Sequence, residues 1–196
     1  MPVEAVWRGR ETWVERLVKS QRDRKKRWRG TGSPCLGTAF LNPPLFRRGS
    51  CQKDIDAAYN YLTQELKIPP NRIIAYGFSV GGGPSVDLAA RKPIAGLIVE
   101  NTFITAFRVV THIPIVPFDK FANIDKIKNV RCPVLVMHAT ADEVIPFYHG
   151  QKLFAAAKEP KRFLPIEGAG HNNLRLVAGE RYVKALREFV ELVSNQ

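Results

Sequence analysis

Ser79 lies in Gly77-Phe78-Ser79-Val80-Gly81, a setting that can turn a hydroxyl into a nucleophile. The run has the form G-x-S-x-G. It follows a short apolar stretch, Arg72–Tyr76, and opens one with helical spacing, Val80–Arg91. A strand that turns abruptly into a helix strains the residue at its corner, and glycines on either side leave room for that corner. The serine Oγ then stands above the sheet edge, where the helix N-terminus favours developing negative charge. Gly82 and Gly83 are expected to let the helix pack close to the sheet. An ordinary Gly-rich turn is the alternative, and the strand before and helix after favour the nucleophile. A phosphate loop does not fit, because no Lys-Ser/Thr follows the glycines and G-x-G-x-x-G is absent.

A serine at neutral pH needs a base, and the base needs an orienting group. The chain holds four histidines: His112, His138, His149 and His171. His171 sits in Glu167-Gly168-Ala169-Gly170-His171-Asn172, a glycine-rich loop between a strand-like run and the last helix-like run. His138 ends an apolar run and is equally readable as a buried structural residue. His149 falls on a helical stretch and His112 in an irregular one. For the orienting carboxylate, Asp142 follows the apolar run Pro133–His138. Ser79, Asp142 and His171 then occur in the chain order Ser–Asp–His.

The elements that must position these residues alternate from Asp54 onward. Asp54–Leu66 has its apolar residues on one helical face, and Pro69-Pro70 ends it. Arg72–Tyr76, Pro93–Val99, Pro133–His138 and Arg162–Ile166 read as strands. Val80–Arg91, Phe147–Lys158 and Arg181–Val193 read as helices. Continuously apolar strands separated by helices predict an α/β fold with a mostly parallel sheet and helices on both faces. The candidate residues all follow strands, so they belong at the C-terminal edge of that sheet.

Residues from about 54 to the C-terminus resemble the α/β-hydrolase superfamily. The nearest branch is the small single-domain serine hydrolases akin to serine aminopeptidase-like and protein-depalmitoylase-like enzymes. The matching stretches are DIDAAYNYLTQELKIPPNRIIAYGFSVGGGPSVDLAAR, CPVLVMHATADEVIPFYHGQKLF and EGAGHNNL. Phe78 and Ala139 stand where the family often has a polar residue and a glycine. The resemblance implies Ser79 as nucleophile, Asp142 as acid and His171 as base. It also implies an acyl-serine formed from an ester or thioester, and the N–H of Val80 as one oxyanion donor. This chemistry calls for no metal or organic cofactor. The second oxyanion donor would come from an earlier loop, often His-Gly, and no histidine precedes His112. A catalytically impaired fragment or binding module is therefore the alternative function.

Residues 1–50 do not join the pattern, so the chain divides into a basic, irregular segment, 1–50, and the C-terminal portion of an α/β-hydrolase domain, 51–196. The first segment holds 12 Lys and Arg against 4 Asp and Glu, a large share of the net charge of +12. The family's strands before Arg72 are not found there. Either residues 1–50 are a divergent N-terminus or they are out-of-frame translation, and their composition favours the second. They are expected to form no strand beside Arg72–Tyr76, leaving that strand an exposed edge through which chains associate. The basic cluster Arg22–Arg29 lacks any nucleic-acid fold signature, so a nucleic-acid partner is not expected. Residues 103–129 are expected to form a small lid, with Phe103, Phe107, Ile113, Val116, Phe118 and Phe121 either walling an acyl pocket or packing in the core. The partner expected is a small-molecule or acylated substrate. No apolar run is long enough to span a bilayer, no secretory signal is visible, and three sparse cysteines suit a reducing, cytoplasmic compartment.

Overall fold

The computed structural model describes residues 48–105 and 122–195. Four strands form one parallel sheet in the order β1-β2-β3-β4: β1 Ile74–Phe78, β2 Gly96–Glu100, β3 Val134–Ala139 and β4 Lys161–Ile166. The helices are α1 Arg48–Asn60, α2 Gly82–Arg91, the short α3 Asn123–Lys126, α4 Tyr148–Ala156, α5 Leu174–Ala178 and α6 Glu180–Ser194. A π turn, Tyr61–Glu65, extends α1.

The expected strands and helices are present, with their ends shifted by a few residues. The helix expected from Asp54 begins at Arg48, and α5 has no counterpart in the sequence reading. The left-handed Gly179 (φ 50°) separates α5 from α6. A continuous helical period would not show that break.

Alternation along the strands splits the core in two. Ala75, Leu97, Val99, Val134 and Val136 pack with Ile55 and Tyr59 of α1, Val86 and Leu88 of α2, and Leu153 of α4. Ile98, Leu135 and Met137 pack on the opposite face with Leu174 of α5 and Tyr182, Leu186 and Phe189 of α6. Leu97, Ile98 and Val99 are all 0 % exposed. Both faces of β2 are thus covered, as a continuously apolar parallel strand requires. Each such side chain contributes about 1.5–3 kcal/mol by burial.

The register fixes the edge that matters. Phe78 is level with Glu100, Glu100 with Met137, and Ala139 with Ile166. The turns that follow these residues therefore open on one side of the sheet. Among the described residues β1 is an edge strand. Residues 1–47, with the basic cluster, lie outside the described residues. So do His112 and five of the six lid positions: Phe107, Ile113, Val116, Phe118 and Phe121. Phe103 is 2 % exposed and packs with Cys51, Ile145, Val80 and Val144, so it is core.

Candidate active site

Ser79 is the corner between β1 and α2. It begins a tight 3-10 turn, Ser79–Gly81, and its φ is +51°, rare for a residue with a side chain. Gly77 and Gly82 have no room for side chains, whereas a Cβ on Gly81 would meet nothing within 4 Å. A Cβ on Gly77 would lie 2.6 Å from the Gly81 carbonyl oxygen and 2.6 Å from Gly82 Cα. A Cβ on Gly82 would lie 2.6 Å from Thr102 Cβ and closer still to its hydroxyl. Gly82 thus admits the segment after β2, a more specific task than general helix–sheet closeness. Val80, whose N–H follows Ser79, lies in the same turn.

Three side chains separated by long stretches of sequence converge above the sheet edge. His171 Nε2 lies 3.0 Å from Ser79 Oγ, and His171 Nδ1 lies 2.8 Å from Asp142 Oδ2. Asp142 Oδ1 accepts the N–H groups of Val144 at 2.9 Å and Ile145 at 2.7 Å. Burial alone would push the Asp142 carboxyl upward. The hydrogen bonds from His171, Ile145 and Val144 outweigh it and hold the carboxyl below its ordinary range. Asp142 is thus a buried anion whose two oxygens are both engaged. Phe78 lies against the His171 ring, with ring centroids 5.2 Å apart.

The other described histidines are built in. His138 is 0 % exposed, and its Nε2 donates to the Ile145 carbonyl at 2.9 Å. Burial lowers its pKa and keeps it neutral. His149 is also 0 % exposed, and its Nδ1 accepts the Ile104 N–H at 3.2 Å. Neither stands beside Ser79.

Several residues at the site were not singled out from the sequence. Asn101 Nδ2 donates to the His171 carbonyl at 2.8 Å, and Thr102 Oγ1 donates to the Ser79 carbonyl at 2.6 Å. Glu143 Oε2 accepts the His171 N–H at 3.1 Å. Beneath them, Glu100 accepts hydrogen bonds from Tyr76, Tyr182 and Arg175. Burial and the neighbouring Glu100 charge both push the two tyrosines upward, so they stay neutral donors. The available signal was the polar run Glu100-Asn101-Thr102 directly after an apolar strand. Polar side chains at the C-terminal end of a buried parallel strand face the ligand edge.

A family description, the dienelactone hydrolase family, matches residues 44–185. The chain belongs to this family. Its match begins at residue 44, inside the segment that the sequence reading set apart. Alpha/beta hydrolase domain-containing protein 17B of Xenopus laevis is 44 % identical over 149 residues, covering 72 % of this chain and 50 % of that protein. The human protein of the same name is 43 % identical, with the same coverage. The chain therefore spans about half the length of these curated relatives. Among solved structures, the esterase domain of a Rhodothermus marinus protein superposes with a TM-score of 0.56 at 20 % identity, covering 70 % of this chain and 68 % of that one. A Paleococcus ferrophilus monoacylglycerol lipase gives a TM-score of 0.55 at 19 % identity, with 76 % of each chain covered. The sheet is thus part of an α/β-hydrolase fold. Among the described residues, no helix is long and apolar enough to cross a membrane.

Proposed function

We propose that this family member is a serine hydrolase that cleaves carboxylic esters or thioesters through an acyl-Ser79 intermediate. The observation that carries the reading is the hydrogen-bond chain Asp142–His171–Ser79, at 2.8 and 3.0 Å. With Asp142 anionic, Nδ1 of His171 keeps its proton, and Nε2 is left to accept one. Nε2 takes the Ser79 proton as Oγ attacks the carbonyl carbon, then returns it to the leaving alkoxide or thiolate. Water repeats the sequence on the acyl-serine and frees the acid. The N–H of Val80 stabilises the oxyanion. The three sparse cysteines suit a reducing, cytoplasmic setting.

One observation favours a weaker activity. The second oxyanion donor would come from a loop before β1, often His-Gly in this superfamily, and no histidine precedes His112 in the sequence. Loss of one donor costs about a hundredfold to a thousandfold in kcat. The second reading is therefore a catalytically impaired hydrolase or binding module. A fluorophosphonate probe tests the nucleophile in either case. It should label wild type, fail on Ser79→Ala and nearly fail on His171→Ala. Undiminished labelling of Ser79→Ala would exclude this serine.

A further inference from the structure

We infer that Asn101 and Thr102 are positioning residues that hold His171 and Ser79 in register, an inference that rests on the hydrolase reading above. The two stand side by side just past the end of β2, at 0 % and 1 % exposure. Asn101 serves the base. Its Nδ2 donates to the His171 carbonyl at 2.8 Å, and its Oδ1 accepts the Ala139 N–H at 2.8 Å. Its own N–H donates to the Met137 carbonyl at 3.0 Å. One residue thereby ties the His171 loop to the end of β3, from which the Asp142 turn departs. Thr102 serves the nucleophile, donating to the Ser79 carbonyl at 2.6 Å.

Ser79 and His171 are 92 positions apart and ride on different loops. A contact of 3.0 Å between their tips demands that both backbones be held to a common reference. The segment after β2 is bonded to both. Asn101 has a φ of +44°, so the chain leaves the extended path of β2 at this residue. Asparagine tolerates that conformation better than most residues. Glu100, the preceding residue, anchors the same segment by accepting from Arg175, four residues beyond His171. A displacement of about 1 Å at a reacting centre costs about a hundredfold, so these bonds bear on rate as well as stability.

The test uses three variants of the full chain. Asn101→Gly keeps the positive φ at little cost and removes the amide. Thr102→Val keeps the shape and removes the hydroxyl. Thr102→Ser keeps the hydroxyl. Fluorophosphonate inactivation is resolved into probe affinity and the covalent step, and the ring nitrogens of His171 are followed by NMR across pH. We expect Asn101→Gly and Thr102→Val to slow the covalent step about ten- to a hundredfold with probe affinity held within about threefold. Thr102→Ser should restore most of the rate, and the His171 ring signals should shift in Asn101→Gly. A role confined to stability would lower the melting temperature and leave these parameters of the folded protein unchanged. Wild-type His171 signals in Asn101→Gly, or a wild-type covalent step in Thr102→Val, would overturn the role of that residue. Should Asn101→Gly not fold, Asn101→Asp replaces it. It keeps the volume and the Ala139 contact, and an unslowed covalent step would overturn the role of Asn101. If wild-type Ser79 takes no label, the hydrolase reading fails by itself. The His171 spectrum then decides positioning: shifted signals in Asn101→Gly support it and unchanged ones overturn it.

Discussion

Replacing Asp142 with Asn should disable the triad by moving one proton. The carboxylate makes three hydrogen bonds: Oδ1 accepts from Val144 and Ile145 at 2.9 and 2.7 Å, and Oδ2 accepts from His171 Nδ1 at 2.8 Å. An amide has one acceptor end and one donor end. With its oxygen toward the two backbone N–H groups it keeps both of those bonds. Flipped, it sets NH2 against two donors, at about 1–3 kcal/mol for each group left unsatisfied. The first orientation wins. The amide NH2 then faces Nδ1, which must become an acceptor, so the ring proton moves to Nε2. That nitrogen can no longer receive the Ser79 proton. A wrong tautomer of this kind costs about 10⁴ in kcat, or about 5.5 kcal/mol of transition-state stabilisation. The fold should survive, because the substitution is isosteric and both backbone bonds remain. The assay is turnover of a chromogenic ester and the rate of probe labelling, with circular dichroism on the same samples. A folded Asp142→Asn variant retaining more than about a tenth of wild-type activity would refute the tautomer argument.

Further outcomes follow from the same geometry. Gly82→Ala drives a methyl into Thr102, with its Cβ 2.6 Å away, and should destabilise the protein by about 2–3 kcal/mol, lowering Tm by about 5–10 °C. An unchanged scanning-calorimetry midpoint would refute the contact. Burial lowers the pKa of His138, so the folded state binds fewer protons than the unfolded one as pH falls. Stability contributed there is complete above about pH 6.5 and declines below it, by up to about 1.4 kcal/mol per pH unit. Urea titrations of wild type and His138→Gln at about pH 7.5 and 5.5 check this, and the variant should show the smaller loss between the two. For Asp142, whose carboxyl is lowered, the corresponding loss begins only below about pH 4. The isolated 196-residue chain should associate through the β1 edge and hydrolyse simple esters feebly, which size-exclusion chromatography and a turnover assay will read. A monomer with brisk turnover would show that residues outside the described ones cover that edge and supply the second oxyanion donor.

The residues nominated from sequence shared one property: their signals were local. Gly77 precedes Ser79 because a side chain there would collide with the backbone of Gly81 and Gly82, and that constraint operates within six residues, whereas a side chain on Gly81 would meet open space. Asp142 and His171 each follow an apolar strand, so their place at the sheet edge follows from strand direction alone. Helix boundaries were less legible. Arg48–Lys53 offers Cys51 as its one apolar residue, so the first turn of α1 carries no hydrophobic period.

From the sequence alone came the parallel sheet, the elbow at Ser79 and the chain order of the three candidate residues. Periodicity and glycine placement are properties of short stretches and do not depend on what lies across the molecule. Tertiary structure alone decided which polar neighbours hold the site together. Asn101 meets His171 across 70 positions, Thr102 meets Ser79 across 23, and Tyr182 meets Glu100 across 82. A buried amide or hydroxyl accepts almost any partner of the right polarity, so its residue type names no address. The stacking of β1, β2 and β3 in register brings the ends of these strands within hydrogen-bond reach. Only then does the requirement that buried polar groups be paired select one partner for each.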